Sequence, residues 1–447
     1  MENNSIKMKT LSEIKEWIAE LNSETHVKIE QTVLSSSDYW FYDKKNGVVR
    51  NKNNSFFYIT GIKGKVNDFK IEQPILMQNE IGYLGILCKK IDGEIYFLMQ
   101  AKIEPGNVNC VQISPTIQAT KSNFTQKHGG SKPLYLDYFL HAKSKDIIID
   151  QIQSEQSSRF YRKRNRNMIV YTEKDVELEK RFCWMTLDQI HELMKEKNLV
   201  NMDTRTVLSC LPYIDKTLEL IKAKKELQKS INDKNYIREI TKIYNRINDY
   251  KMFSQDYQKI VRLDDLSDWI IDDYGIRCKH DYPYEVVYCD IEIEGREVKK
   301  WIQPLFKAKG NATFCLVYTI QNGVIKFLVK VKPEIGSFDK IEIGPTLQLE
   351  ANELAENEFE KNIIEIMNSN KYIRFDSILS EEGGRFYHEE NRNIILELPS
   401  KLLNNLPKDY FLLSYAALNH MNLINNCLNI QLRNLLSVLE DLKWQIE

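Results

Sequence analysis

A chain of 447 residues is too long for one hydrophobic core and suits two or three domains. With 43% hydrophobic and 28% charged residues it reads as a water-soluble globular protein, and no apolar run approaches the roughly 20 residues of a membrane span. A formal net charge of −1 excludes a global field that would gather nucleic acid or an anionic membrane. The polar start Met1-Glu2-Asn3-Asn4 is unlike a secretory leader, the eight cysteines contain no C-x-x-C pair, and the seven histidines show no ligand spacing. Buried free thiols in a reducing cytoplasm, without a metal framework, are therefore expected.

In chain order, Leu11, Ile14, Trp17, Ile18 and Leu21 recur at helical spacing and predict an amphipathic helix over residues 10–25. A strand from Val27 to Leu34 leads to Trp40. Ile81 to Lys89 and Ile95 to Ile103 predict two strands around an Asp92-Gly93 turn, since β-branched and aromatic residues dominate there. Ile147–Ile152 and Met168–Tyr171 read as further strands, with an arginine-rich turn, Arg159–Arg166, between them. Helices are predicted over Thr186–Lys197 and Asp203–Cys210, the second with Asp203 as its N-terminal cap. Pro212 closes this unit, and the glycine- and proline-free stretch from there to Phe253 predicts one or two long helices. Beyond them Thr313 to Ile320, Asn322-Gly323 and Val324 to Val331 predict a hairpin like the first.

That second hairpin belongs to a repeat. Lys102, Glu104 and Gly106 meet Lys332, Glu334 and Gly336, while Pro115-Thr116 and Gln118 meet Pro345-Thr346 and Gln348. Further on, Ser154-Glu155 and Arg159-Phe160-Tyr161 meet Ser380-Glu381 and Arg385-Phe386-Tyr387. Near the start of each copy Trp40 answers Trp269. A period this long signals two copies of a domain rather than a solenoid. The chain divides into a first copy at 1–212, a helical connection at 213–256 and a second copy at 257–447. Residues held by both copies are expected to serve the fold or a common ligand. Polar residues kept in one copy are better candidates for chemistry: Gln100 becomes Lys330, Ser114 becomes Gly344, Arg162 becomes His388 and Arg164 becomes Glu390.

Gln100–Gly106, Ser114 through Thr120, Asn123 with His128-Gly129, Gln153–Gln156, Arg162 through Met168, and Asn201 through Leu211 together carry a resemblance. From about Leu11 to the end, the chain resembles NDP-hexose 2,3-dehydratases. The resemblance implies a mixed α/β (α+β) fold, a tandem duplication of a Nudix-like mixed-sheet module joined by long helices, in a homodimer. One sugar-nucleotide pocket per module is implied, the first catalytic and the second a relic. The implied substrate is dTDP-4-keto-6-deoxyglucose, which loses its C-3 hydrogen and C-2 hydroxyl with no redox cofactor. An NADPH-dependent 3-ketoreductase or a PLP aminotransferase would act downstream. The Nudix hydrolase signature is absent, and Glu381-Glu382-Gly383-Gly384 reads as a turn.

Such an elimination needs a base, donors at the C-4 oxygen and an acid for the departing hydroxyl. Glu104 is the carboxylate candidate, although Glu334 matches it in the other copy. Tyr161 is a candidate acid or a packed tyrosine, and Ser114 and Lys121 are the remaining catalytic candidates. Arg159, Arg162, Arg164 and Arg166 suit bidentate contact with a diphosphate, or a surface turn paired with carboxylates. Gln100, Lys102, Thr116, Gln118, Asn123 and Asn167 are candidates to hold nucleotide or sugar. Trp40 could stack on thymine or pack in the core. A non-catalytic sugar-nucleotide sensor and a metal-dependent Nudix-type hydrolase remain as alternatives.

Overall fold

The computed structural model describes residues 8–121, 132–211, 225–294 and 298–439. Helix α1 (Leu11–Glu24) starts where Thr10 Oγ1 accepts the Glu13 N–H and the Glu13 carboxylate accepts the Thr10 N–H, and it buries Ile14, Trp17, Ile18 and Leu21. Five strands follow: β1 (Val27–Thr32), β2 (Trp40–Asp43), β3 (Val48–Asn51), β4 (Tyr58–Val66) and β5 (Phe69–Met77). The predicted hairpin is β6 (Gly82–Ile91) and β7 (Glu94–Ile103), turning through Asp92 and Gly93 at φ 49° and 92°. Two left-handed residues in succession match the twist of paired strands. The first half closes with β8 (Val111–Ser114), β9 (Ile117–Ala119), α2 (Leu136–Leu140), β10 (Ile147–Ser154), β11 (Arg164–Tyr171), β12 (Phe182–Thr186), α3 (Leu187–Met194) and α4 (Met202–Leu208).

Helices α5 (Lys225–Ile231) and α6 (Tyr236–Phe253) connect to a second half with the same order. Its small strands are β13 (Tyr257–Val261), β14 (Trp269–Asp272), β15 (Gly275–Cys278), β16 (Tyr284–Ile293) and β17 (Lys300–Ala308). There follow β18 (Thr313–Gln321), β19 (Val324–Pro333), β20 (Ile341–Gly344), β21 (Leu347–Leu349), α7 (Glu358–Asn368), β22 (Ile373–Ser380), β23 (Glu390–Glu397), β24 (Tyr410–Ser414), α8 (Tyr415–Asn422) and α9 (Ile430–Ser437). Each half holds a seven-stranded sheet, β10-β11-β6-β7-β12 with β8 and β9, or β22-β23-β18-β19-β24 with β20 and β21. In both, the strand after the arginine turn runs parallel to the first hairpin strand. The protein is thus a duplicated mixed α/β fold.

The halves exchange their first strands. β1 pairs with β16, Val27 against Ile293, and β13 pairs with β4, Tyr257 against Lys65. The two five-stranded sheets so formed share one core, in which Trp40, Ile59 and Leu76 meet Trp269, Val286 and Phe306. A second core runs under α1 and both large sheets, joining Ile14, Phe97 and Ile113 to Phe327, Ile343 and Leu432. Helices α2 and α7 cover the outer faces, burying Phe139 in one case and Ile363 in the other.

Several local expectations change. The strand predicted from Met168 begins at Arg164, because β11 pairs with β10 down to Ser154↔Arg164, so Arg164 and Arg166 belong to a strand and not to the turn. Asn201 caps α4 by accepting the Thr204 N–H at 2.8 Å, which frees Asp203 from the role of cap. None of the eight cysteines is paired, and Cys110 and Cys278 are half-buried rather than buried. Among the described residues no helix is long and apolar enough to cross a membrane.

One substitution inside this interlock has a calculable pH signature. Glu342 is buried and accepts the Ser154 hydroxyl at 2.8 Å, whereas Gln112, its counterpart, donates to Ser380 Oγ at 2.9 Å. Burial pushes the Glu342 carboxyl from 4.5 up to about 8. The unfolded chain ionises first, so the native state loses stability as pH climbs from 4.5 towards about 8, by at most about 1.4 kcal/mol per pH unit. Glu342→Gln should therefore raise Tm above wild type most at the alkaline end, as calorimetry across that range can show. A difference independent of pH would contradict the account.

Candidate active site

Gly106 ends a segment in which both copies keep Lys, Glu and Gly at alternate positions, Lys102, Glu104 and Gly106, and the backbone explains why. Its N–H donates to the Gly383 carbonyl at 2.6 Å, and its own carbonyl accepts the His388 N–H at 2.9 Å. A Cβ at Gly106 would stand 1.6 Å from the Phe386 carbonyl oxygen. Gly336 receives the opposite turn in the same way, bonding to Ser157 and Arg162. Each half thus docks its arginine turn beside the other half's hairpin. Gly106→Ala should destabilise the fold by about 1–3 kcal/mol. It should also displace the 383–386 turn, so both Tm and ligand affinity are expected to fall. A variant with wild-type Tm would show that the close approach is not required.

The first pocket gathers at the ends of β7, β9, β10 and β11. Side-chain alternation puts Gln100, Lys102 and Glu104 on one face. Lys102 Nζ lies 3.1 Å from Glu104 Oε1, and Gln118 Nε2 donates to the same oxygen at 3.1 Å. Gln118 Oε1 accepts the Ser114 hydroxyl at 3.0 Å, and Asn201 Nδ2 donates to Ser114 Oγ at 3.2 Å. Asn165 Nδ2 donates to Glu155 Oε1 at 2.6 Å, and Lys163 Nζ donates to Asn165 Oδ1 at 2.9 Å. From the second half come Glu382, whose Oε1 accepts the Gly384 N–H at 2.7 Å, and Arg385. The Arg385 guanidinium lies 4.1 Å from the centre of the Phe57 ring, which in turn packs on Trp40 at 4.8 Å. It donates to Gln78 Oε1 at 3.2 Å and to the Gly384 carbonyl at 2.8 Å.

Electrostatics separates these groups. Asp203 is only 2% exposed, and its Oδ2 has no hydrogen-bond partner among the described residues. Burial, and then the charges of Glu155, Glu382 and Glu104, hold its carboxyl protonated well above the usual carboxylate range. Burial and the Glu104 charge raise Glu382 only to about 7, because Arg385 opposes them. Burial lowers the Lys163 amine to about 8, against the pull of Glu155. Two carboxyls with separated ionisation in one pocket form the arrangement from which acid and base roles are drawn. Among the described residues no three His, Cys, Asp or Glu side chains converge to hold a metal ion.

The corresponding pocket of the second half keeps the scaffold and loses these acids. Asn429 Nδ2 donates to Gln348 Oε1 at 2.8 Å, and Gln348 Nε2 donates to Glu334 Oε1 at 3.0 Å, as in the first. By the register of the repeat, however, Gln431 stands for Asp203, Gln156 for Glu382 and Glu389 for Lys163.

The sequence model of the family described as NDP-hexose 2,3-dehydratase matches residues 11–211 and again 240–439. The chain belongs to the NDP-hexose 2,3-dehydratase family. It is 33% identical over 443 residues to a dTDP-4-dehydro-6-deoxy-alpha-D-glucopyranose 2,3-dehydratase of Saccharopolyspora spinosa, covering 96% of this chain and 91% of that one. A protein of the same description from Streptomyces violaceoruber is 33% identical over 434 residues, at 95% and 96% coverage. A third, from Amycolatopsis orientalis, is 32% identical over 446 residues, at 97% and 91% coverage.

Within this 2,3-dehydratase fold the residues singled out from sequence are distributed unevenly. Lys102, Glu104, Ser114 and Gln118 come together in the first pocket, and Gln100 follows on the same face of β7. Thr116 is committed to the sheet, donating to the Leu98 carbonyl and accepting the Leu87 N–H at 2.8 Å. Tyr161 packs against Ile62, Ile75 and Ile335. Trp40 lies in the core between the small sheets, one ring below Phe57. The four arginines diverge. Arg159 enters the second pocket, Arg162 is exposed with its guanidinium 4.9 Å from the Tyr161 ring centre, Arg164 lies 4.0 Å over Phe338, and Arg166 pairs with Asp150 at 2.5 Å. Asn167 is buried and donates to the Asn165 carbonyl at 3.2 Å. Lys121 is exposed, and Asn123 lies outside the described residues.

Asp203, Glu382, Lys163 and Arg385 were not among the sequence candidates. A signal existed for three of them, since Asp203/Gln431, Glu382/Gln156 and Lys163/Glu389 are differences between the copies. Arg385 had none, because Arg159 matches it; its place depends on which half's pocket the turn enters.

Proposed function

We propose that this 2,3-dehydratase acts on dTDP-4-keto-6-deoxy-D-glucose in the first pocket and yields dTDP-3,4-diketo-2,6-dideoxy-D-glucose. The observation that carries the reading is the pair Asp203 and Glu382, present in one pocket and replaced by amides in the other. The C-4 ketone acidifies the C-3 hydrogen. Glu382, ionised above about pH 7, takes that proton, and the electron pair left on C-3 expels the C-2 hydroxyl. Asp203, still protonated, gives the hydroxyl its proton, so that water departs. The enol formed between C-2 and C-3 takes up a proton at C-2 and becomes the diketo sugar. Lys102 and Lys163 supply positive charge where enolate character grows, Glu104 is held in place by Lys102 and Gln118, and Arg385 on its Phe57 shelf takes the diphosphate. The names of the relatives support the substrate. On this reading the protein works in the cytoplasm as a homodimer, and an NADPH-dependent 3-ketoreductase, or later a PLP aminotransferase, receives the product.

The test is incubation with dTDP-4-keto-6-deoxyglucose in D₂O with EDTA, the diketo product being trapped by an NADPH-dependent 3-ketoreductase before mass spectrometry. Loss of water with deuterium at C-2 is expected. Intact substrate, or a nucleoside monophosphate released only with magnesium, would overturn the assignment.

A further inference from the structure

The second pocket holds an ion pair of its own. Arg159, 1% exposed, reaches into it from the first half and grips Glu350 with both arms of its guanidinium, Nη1 at 3.3 Å from Oε1 and Nη2 at 2.8 Å from Oε2. The Tyr284 ring backs it at 3.9 Å, as Phe57 backs Arg385. Burial alone would raise the Glu350 carboxyl, yet the charge and hydrogen bonds of Arg159 hold it below its usual value, so it stays ionised. In the first pocket Thr120 occupies the place of Glu350. There the Arg385 guanidinium donates instead to Gln78 Oε1 and to the Gly384 carbonyl.

We propose that the Arg159–Glu350 pair stands in for a nucleotide diphosphate, so that this chain binds one sugar nucleotide, in the first pocket, and none in the second. A guanidinium offers its fork to one bidentate anion at a time. A carboxylate tethered within the same chain competes at an effective concentration on the order of millimolar or above. Where the first pocket has the acids Asp203 and Glu382, this one has amides. Gln156 and Gln431 are buried, and their amide groups have no partners among the described residues. Glu389, 4.0 Å from Arg159 and pushed by burial up to about 8, stands ready as a second carboxylate should Glu350 be removed. The inference rests on the first pocket being a nucleotide site.

Titration calorimetry of the full chain with dTDP tests it. Wild type should take up one dTDP per chain, and Arg385→Ala should weaken that uptake. Glu350→Thr combined with Glu389→Lys copies Thr120 and Lys163 into the second pocket and should raise the count to two. Glu350→Gln, which keeps the size of the side chain, is the gentler variant and should add a weaker second site. In reverse, Thr120→Glu should close the first pocket and remove binding. Two dTDP per wild-type chain would overturn the proposal, as would an unchanged count in both Glu350 variants with native circular dichroism. The dehydration reading fails separately, by retention of water in the D₂O incubation while these counts hold.

Discussion

Asp203→Asn should lower kcat by about 100- to 10,000-fold and leave the affinity for dTDP close to wild type. The asparagine keeps the shape of the side chain at the start of α4, where Asn201 and not Asp203 caps the helix, so folding is expected to survive. What it removes is the one proton that burial and three neighbouring acids keep on this carboxyl. The pH profile carries the sign. Activity should rise as Glu382 ionises near pH 7 and fall at higher pH as the Asp203 proton is lost, with both limbs belonging to the coupled pair. Glu382→Gln, the residue already present as Gln156 in the other pocket, should erase the rising limb together with most of the rate. A full-speed Asp203→Asn enzyme would remove this acid from the mechanism.

Arg385→Ala should weaken dTDP binding by about 30- to 1,000-fold, the usual cost of truncating one partner of a desolvated charged pair. Burial lowers the Arg385 pKa, and the charges of Glu382 and Glu104 only partly counter it. Such a cation gains more from an arriving diphosphate than one already neutralised. Arg385→Lys should recover part of the affinity as a point charge, without the planar fork or the shelf on Phe57. Calorimetry separates this loss from a loss of rate. An unchanged dissociation constant in Arg385→Ala would place the diphosphate elsewhere, and the arginines of the first turn would return as candidates.

The two hairpins, α1 and the duplication were legible because they depend on short-range patterns: Asp-Gly and Asn-Gly turns, alternation, and matched polar residues at constant register. The small sheets were not, since β2 and β3 have only four residues each and each small sheet takes one strand, β13 or β1, from the other half. The same distance hid the site. Sequence offered Arg159 and Glu104 as candidates for one site, whereas the crossing of the turns at Gly106 and Gly336 gives each pocket the other half's arginine. Glu382 looked like part of a turn, which it is; that its carboxyl faces Glu104 is a tertiary fact. Asp203 was read as a cap because aspartate favours that position, but Asn201 competes for it and wins.

The exchange of first strands also governs how the protein is made. Val27 finds its partner at Ile293, so β1 must wait for most of the chain to leave the ribosome. β4 likewise keeps its Gly61–Lys65 edge open until Tyr257–Val261 emerges. During synthesis the nascent first half carries two unsatisfied strand edges, the surfaces on which chains stick to one another. A fragment ending between the halves would hold that state permanently, which makes the helical connection a poor place to cut and gives translation speed through the second half a direct bearing on yield.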